Sequence, residues 1–162
     1  MALNLGKAWE TKVKEDFLNV PNATIDRLYD VTQGYKTISQ VSDFIGFIGD
    51  ECLDKGTIYY IETKSIQGNT FPLRNLTQYD KLITKVGIPG VRAGVILWFR
   101  DHDIVLYVPV ATFTQLKNED KKSVNIKMIT DDTYNIKVIP SITKRTFPTC
   151  DYNILTTLKR GE

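Results

Sequence analysis

The sequence predicts an α/β protein in which helices flank a mixed β-sheet in a single domain. Three observations lead to this prediction. A helical pattern opens the chain, pairs of apolar segments joined by short turns follow, and a second helical pattern lies between two such pairs. The length of 162 residues suits one domain with a core of its own.

The first helix is predicted from residue 5 onward, with Asn4 as its N-cap and Pro21 as its end. Apolar side chains recur there at four-residue spacing: Leu5, Trp9, Val13 and Phe17. This spacing places one apolar stripe along the helix, which is typical of a helix packed on a sheet.

Alternating apolar residues and turn signals predict the next elements. A short strand over residues 25–29 leads into a polar loop over 32–40. Residues 43–48 and 57–66 are predicted to form an antiparallel hairpin, because a glycine stands at each end of the segment between them.

The second half of the chain is predicted in the same way. The expected elements are a helix over residues 76–86, a buried hairpin of 93–99 and 104–110 at the sheet centre, one or two helical turns over 111–117, and a hairpin of 124–129 and 134–139. The final 20 residues show no pattern that places them.

Composition narrows the class of protein. Apolar residues make up 42% and charged residues 25% of the chain, which is ordinary for a folded globular domain. No apolar run approaches the roughly 18 residues that a membrane span requires, and charged residues interrupt the start of the chain. We therefore expect a soluble, cytoplasmic protein without a membrane partner.

Cysteine and histidine content limits the possible metal chemistry. Cys52 and Cys150 lie far apart without zinc-binding spacing, and we expect both to be small buried apolar side chains. The single histidine, His102, lies in a turn-like run and is expected to be solvated. Any metal would therefore be a hard cation held by carboxylates.

The charge pattern leaves a nucleic-acid partner open. The net charge is only +2, so the whole-chain balance favours no polyanionic partner. The last third of the chain is more basic and carries three pairs of neighbouring basic residues: Lys121 with Lys122, Lys144 with Arg145, and Lys159 with Arg160. Such pairs either keep a surface solvated or contact phosphates.

The predicted hairpin of residues 43–66 brings two carboxylates together. The period of two puts Glu62 and Lys64 on one face of their strand, and a symmetric turn over 49–56 places Asp43 opposite Glu62. Like charges at opposed positions repel each other, but they also make an incomplete oxygen cage suited to Mg²⁺. With Lys64 available to polarise a water or stabilise a pentavalent transition state, the set indicates phosphodiester cleavage.

Two plainer interpretations stand beside this one. A glutamate and a lysine two positions apart are common on exposed strands, where they form solvated ion pairs of little consequence. Glu10 shares a helix face with Gly6, Val13 and Phe17 and is a candidate third carboxylate, but an i, i+4 pair with Lys14 explains it equally well.

Three stretches of the sequence resemble the PD-(D/E)xK nuclease superfamily. Within it they are most similar to the RecU-type Holliday junction resolvases, also called penicillin-binding-protein-related factor A. The stretches are NLGKAWE at 4–10, VSDFIG at 41–46 and YYIETKSIQGNTFPLRNL at 59–76. The likeness covers about 4–116 and implies a restriction-endonuclease-like fold, with 117–162 as a basic extension of the same domain.

The resemblance also implies a set of site residues. Asp43, Glu62 and the backbone carbonyl of Thr63 would bind Mg²⁺, for which Mn²⁺ is a substitute, and Lys64 would act on the attacking water. Glu10 matches the carboxylate of the first helix, and Ser42 holds the hydroxyl position before the metal aspartate. Gln78 stands about two residues earlier than the family glutamine, which turns it toward another helix face.

Branched DNA and a second copy of the chain are the partners that the resemblance implies, because resolving a four-way junction takes two symmetric incisions. Phosphate contacts are expected from five basic residues: Arg27, Lys36, Arg74, Lys144 and Arg145.

Cellular members of the family have a long basic projection before the metal aspartate, whereas the corresponding segment here, 32–40, is short. In this the chain resembles versions carried by bacteriophages. Two alternatives stay open: a restriction- or repair-type endonuclease, and a non-catalytic DNA-binding or scaffold protein.

Overall fold

A six-stranded mixed sheet organises the protein and carries helices on both of its faces. The computed structural model describes residues 4–33, 36–50 and 55–158. The α-helices are α1 Leu5–Phe17, α2 Tyr79–Leu82 and α3 Val110–Asn118. The strands are β1 Ala23–Arg27, β2 Val31–Gln33, β3 Lys36–Ile38, β4 Phe44–Gly49, β5 Gly56–Ile66, β6 Thr70–Pro72, β7 Val91–Phe99, β8 Ile104–Pro109, β9 Ser123–Asn125, β10 Lys137–Ile139, β11 Ser141–Thr143 and β12 Pro148–Cys150.

The strand order in the main sheet is β1-β4-β5-β7-β8-β10. The β5–β7 pair is parallel, and the other pairs are antiparallel. The parallel pair arises because the chain leaves β5 and returns through α2 before it enters β7, and parallel neighbours require such a crossover. The predicted mixed sheet flanked by helices is therefore confirmed.

Alternation along the central strand β7 divides the core between the two faces of the sheet. Ile96 and Trp98 belong to a cluster that packs against α1, whereas Val95 and Leu97 belong to a cluster that packs against α3. A strand buried on both faces shows a continuous run without charged residues instead of alternation, which is what the sequence has over 93–99.

Helix α1 forms as its apolar spacing predicts. The Asn4 side chain accepts a hydrogen bond from the Lys7 N–H, which caps the helix. Trp9, Val13 and Phe17 are buried, while Leu5 at the first position is 41% exposed. The helix ends at Phe17, four residues before the proline that was expected to end it.

The C-terminal segment packs into the α1-side core, although its sequence showed no pattern. The carboxylate of Asp16 in α1 accepts a hydrogen bond of 2.8 Å from the Cys150 N–H. The Tyr59 hydroxyl of β5 donates one of 2.9 Å to the Leu155 carbonyl. Because Tyr152 and Leu155 are themselves buried, the tail completes the same core.

Three sequence predictions of secondary structure are wrong. The expected polar loop over 32–40 contains the paired strands β2 and β3. The expected helix over 76–86 is a single α-helical turn, α2, continued by the 3-10 turn Ile83–Lys85. The expected hairpin of 124–129 and 134–139 does not form, because β9 pairs with β6 and β10 pairs with β8.

Smaller expectations have mixed outcomes. Cys150 is buried as predicted, whereas Cys52 lies outside the described residues. His102 is exposed in the turn between β7 and β8, also as predicted. Over the part of the chain that the structure describes, no helix has both the length and the apolar character needed to cross a membrane.

Gly94 in the sheet centre permits the packing of a buried tyrosine. A Cβ at this position would lie 2.3 Å from Cε2 of Tyr107, whose ring is 1% exposed and packs edge-on against Tyr59. We expect Gly94→Ala to lower the free energy of unfolding by about 1–3 kcal/mol, because the ring has no free space to move into. Urea denaturation measures this effect.

Gly6→Ala is the matched control for this prediction. At Gly6 an added Cβ would meet only the Asn4 Oδ1 atom, at 3.5 Å, which is ordinary contact. Alanine is favoured over glycine in a helix, so this variant should be as stable as the wild type or more so. Equal stability of the two alanine variants would contradict the steric explanation.

Candidate active site

The candidate site lies where β4 begins beside the middle of β5. The register pairs Phe44 with Ile61, so the residue before β4, Asp43, lies next to Glu62. The predicted register of this hairpin is confirmed, and with it the proximity of the two acidic residues. Both strands are held from their other sides, β4 by β1 and β5 by β7, which leaves the register no freedom to slip.

Hydrogen bonds link the two acidic residues directly. The Asp43 N–H donates to Glu62 Oε2 at 3.2 Å. Both the N–H and the hydroxyl of Thr63 donate to Asp43 Oδ2, each at 2.8 Å. The Lys64 ammonium donates to Glu62 Oε1 at 2.6 Å. These four hydrogen bonds therefore make three consecutive links, from Thr63 to Asp43, from Asp43 to Glu62 and from Glu62 to Lys64.

Burial makes Glu62 the most strongly perturbed member of the group. Its side chain is 0% exposed, whereas that of Lys64 is 28% exposed and reaches toward solvent. Burial, and then the negative charge of Asp43, raise the pKa of the Glu62 carboxyl to about 7, although the Lys64 ammonium acts in the opposite direction. A carboxyl with a pKa near neutrality is common in functional sites and rare elsewhere.

Glu10 approaches the acidic pair from α1. Its carboxylate forms an ion pair with the Arg27 guanidinium at the end of β1. The pKa of Glu10 is raised, first by burial and then by the charge of Asp43, while Arg27, Lys64 and more weakly Lys7 act to lower it. Glu10 therefore shares the electrostatic environment of Asp43.

This placement excludes one of the two interpretations of Glu10. Its ion pair is with Arg27, so the alternative of an i, i+4 pair with Lys14 is wrong. The expectation that Gly6 faces inward on the same stripe is also wrong, because Gly6 is exposed. The helix face that carries Glu10 is thus directed toward β1 and the start of β4.

The carboxylates of Asp43 and Glu62 suit a hard cation that takes some of its ligands from the protein and the rest from water. Within the described residues, no group of three or more acidic, histidine or cysteine side chains converges to hold a metal ion. Mg²⁺ commonly takes one or two carboxylates and keeps several waters, which is what Asp43 and Glu62 can supply. A cation at Glu62 would compete with the Lys64 ammonium for Oε1, since that oxygen already accepts its hydrogen bond.

Ser42 and Gln78 make hydrogen bonds to chain neighbours. The buried Ser42 hydroxyl donates to the Phe44 carbonyl at 2.8 Å, which shapes the start of β4 behind Asp43. Gln78 precedes α2, and its Oε1 atom accepts a hydrogen bond from the Thr77 hydroxyl at 2.8 Å. Ser42 therefore supports the backbone of the site, whereas the Gln78 side chain bonds to its neighbour and does not cap α2.

The basic residues predicted to contact DNA are spread over the surface. Arg27 alone among them forms an ion pair with a site residue in the described part of the chain. Arg74 is exposed in a 3-10 turn after β6, and Lys144 and Arg145 are exposed between β11 and β12. The side chain of Lys36 lies outside the described residues.

Two lysines that the sequence prediction omitted lie close to the site. Lys81 of α2 contacts Ser39, in the segment that leads to Asp43. Lys85 places its ammonium 5.1 Å from the ring centroid of Tyr60, two residues before Glu62 on β5. The signal in the sequence was their spacing of four within a predicted helix, but only the fold shows which strand that helix faces.

The raised pKa of Glu62 predicts a pH-dependent stability. A folded-state pKa of about 7, above the ordinary 4.5, means that protonated Glu62 stabilises the fold below about pH 4.5. This contribution is lost as the pH rises through about 7. In chelator-treated protein, Glu62→Gln should therefore become more stable relative to wild type between pH 5 and 8, by on the order of 3 kcal/mol.

Urea denaturation at several pH values measures this difference. The matched control is Glu15→Gln, which removes an exposed carboxyl from the same protein without touching the site. Parallel pH profiles for wild type and Glu62→Gln would contradict the proposed cost of ionising Glu62.

Comparison with known proteins assigns the chain to no family. It matches no known protein-family model and no curated protein. The likeness of its motifs to RecU-type resolvases stays a prediction that depends on the residues themselves. Two of the motif stretches, 41–46 and 59–76, include parts of the paired strands β4 and β5.

Proposed function

We propose that this protein is a Mg²⁺-dependent endonuclease that cleaves four-way DNA junctions by symmetric phosphodiester hydrolysis as a homodimer. The observation that carries the proposal is the contact between Asp43 and Glu62, with the Lys64 ammonium on the same Glu62 carboxylate. Two carboxylates can hold a Mg²⁺ ion, and an ammonium beside them can stabilise the negative charge that develops on a phosphodiester under attack.

Asp43 and Glu62 are the residues that would hold the cation, with Glu10 close enough to Asp43 to respond to its charge. Bound there, Mg²⁺ would supply Lewis acidity toward the scissile phosphate and a lowered pKa of coordinated water. A cation also removes the repulsion between the two carboxylates, which is the unfavourable term in the protein alone.

Lys64 has the reach and exposure for a direct role at the reacting phosphate. Its ammonium is held at 2.6 Å from Glu62 Oε1, and its side chain is 28% exposed. From this position it can donate hydrogen bonds to a water or to the equatorial oxygens of a pentavalent phosphorane. Such a donor is preorganised, because Glu62 fixes it before substrate arrives.

The junction and the homodimer rest on the resemblance of the motifs to RecU-type resolvases. Symmetric resolution of a four-way junction needs two active sites related by a two-fold axis, which a homodimer provides. Binding should come mainly from phosphate contacts, which position the DNA and do not depend on base identity.

Removal of either carboxylate should abolish cleavage and leave binding almost unchanged. We expect Asp43→Ala and Glu62→Ala to lose about 10³-fold or more in cleavage rate with Mg²⁺, because a Lewis acid supplies several kcal/mol of transition-state stabilisation. Junction binding in chelator should stay within a few-fold of wild type. Gel-based nicking of a labelled four-way junction and fluorescence anisotropy measure the two quantities.

Asp132→Ala is the matched control, since Asp132 is an exposed carboxylate in a 3-10 turn distant in sequence from the site. It should cleave like wild type. Full activity of Asp43→Ala in Mg²⁺ would refute the metal assignment. Equal cleavage of a four-way junction and a matched linear duplex by the wild type would favour the restriction- or repair-type alternative.

Calorimetric titration of the wild type with Mg²⁺ tests the non-catalytic alternative. We expect measurable uptake at pH 8 that Glu62→Ala abolishes, because the variant lacks one of the two carboxylate ligands. DNA binding without either Mg²⁺ uptake or nicking would favour a DNA-binding scaffold instead.

A further inference from the structure

Two lysines on one short segment lie against the elements that build the acidic site. Lys81 belongs to α2, and Lys85 to the 3-10 turn that continues it, so they are four positions apart. Residues 79–85 contain one acidic side chain, Asp80, against these two lysines. The segment therefore carries a net positive charge within the crossover from β5 to β7.

Lys81 is fixed to the chain that leads into the site. Its ammonium donates hydrogen bonds to the Ser39 carbonyl and, at 2.7 Å, to the Ser39 hydroxyl. Ser39 precedes Asp43 by four residues. The Lys81 charge is thereby held close to the entry of β4, while the side chain remains exposed to solvent.

Lys85 is fixed to the strand that carries the second carboxylate. Its ammonium lies 5.1 Å from the ring centroid of Tyr60. Tyr60 and Glu62 point to the same face of β5, about 7 Å apart along the strand. A cation over this ring is therefore on the Glu62 face of the sheet.

A further cation, Arg27, lies on the opposite side of the site. Its guanidinium forms an ion pair with Glu10, and the charge of Asp43 raises the pKa of Glu10. The negative charges of Asp43 and Glu62, together with that of Glu10 nearby, repel a phosphodiester that approaches the site. In addition to a cation bound between the carboxylates, cationic side chains on either side would attract the neighbouring phosphates of a DNA strand that lies across the site.

We propose that Lys81 and Lys85 form a phosphate-binding edge that holds the DNA backbone next to the acidic pair, on the side opposite Arg27. This inference rests on the proposed nuclease function and names residues that bind its substrate. Both side chains are already held by contacts to Ser39 and Tyr60, so less conformational entropy is lost when they bind phosphate. Lys144 and Arg145, by comparison, lie in the turn between β11 and β12, next to the core cluster that packs against α1.

Salt dependence of DNA binding measures the number of phosphate contacts directly. The logarithm of the binding constant falls against the logarithm of salt concentration with a slope of about −0.9 for each contact on B-form DNA. Loss of two contacts in Lys81→Ala/Lys85→Ala should reduce the magnitude of the slope by about 1.8. The full-length chain, a fluorescent four-way junction and a chelator-containing buffer allow binding to be measured without cleavage.

Three further variants distinguish phosphate binding from other effects. Lys81→Gln/Lys85→Gln removes the charges but keeps donors for Ser39, and it should show the same reduced slope. Lys81→Arg/Lys85→Arg keeps the charges and should restore the wild-type slope. The control Lys122→Ala/Lys127→Ala removes two exposed lysines near β9 and should leave the slope unchanged.

The outcomes separate this inference from the proposed function. A wild-type slope in the Gln double variant, or an equal reduction in the control, would overturn the phosphate-binding edge while the nuclease proposal stands. Absence of any junction binding by the wild type would overturn both. A reduced slope in the Ala and Gln variants alone, with recovery in the Arg variant, supports the edge.

Discussion

The antiparallel register of β4 and β5 is the constraint on which the candidate site depends. It places Asp43 beside Glu62 and aligns Thr63 so that its N–H and hydroxyl both reach Asp43 Oδ2. A shift of one residue would move Glu62 to the other face of β5 and separate the carboxylates. The register is secured by apolar residues of β4 and β5 that are buried in the α1-side core, among them Phe44 and Ile61 directly beside the site, and by β7, which is buried on both faces of the sheet.

Keeping this pair costs stability. Burial and the neighbouring Asp43 raise the pKa of Glu62, and the Lys64 ammonium offsets only part of that effect. Arg27 plays the corresponding role for Glu10, whose pKa is raised as well. A buried carboxyl beside a second acidic group destabilises a fold, and strongly raised pKa values of this kind are common in functional sites.

Local patterns in the sequence were sufficient for much of the fold. The spacing of Trp9, Val13 and Phe17 specified α1 because a helix face is defined by neighbours three and four positions away. The glycines at 49 and 56 specified the β4–β5 turn, and these two positions are paired in the structure. The predicted hairpin at the sheet centre was equally local, and β7 and β8 form it.

The sequence by itself determined the hairpin register that places Asp43 beside Glu62, because the turn of a short hairpin is formed by residues that are close in sequence. Only the tertiary structure decided the partners of distant segments. Four contacts join residues that are far apart in the sequence: the β6–β9 pairing, the packing of the tail on α1, the Arg27–Glu10 ion pair and the position of Lys85 over Tyr60. The free energy of each contact depends on which surfaces the whole core brings together. Local spacing in the sequence does not show which surfaces these are.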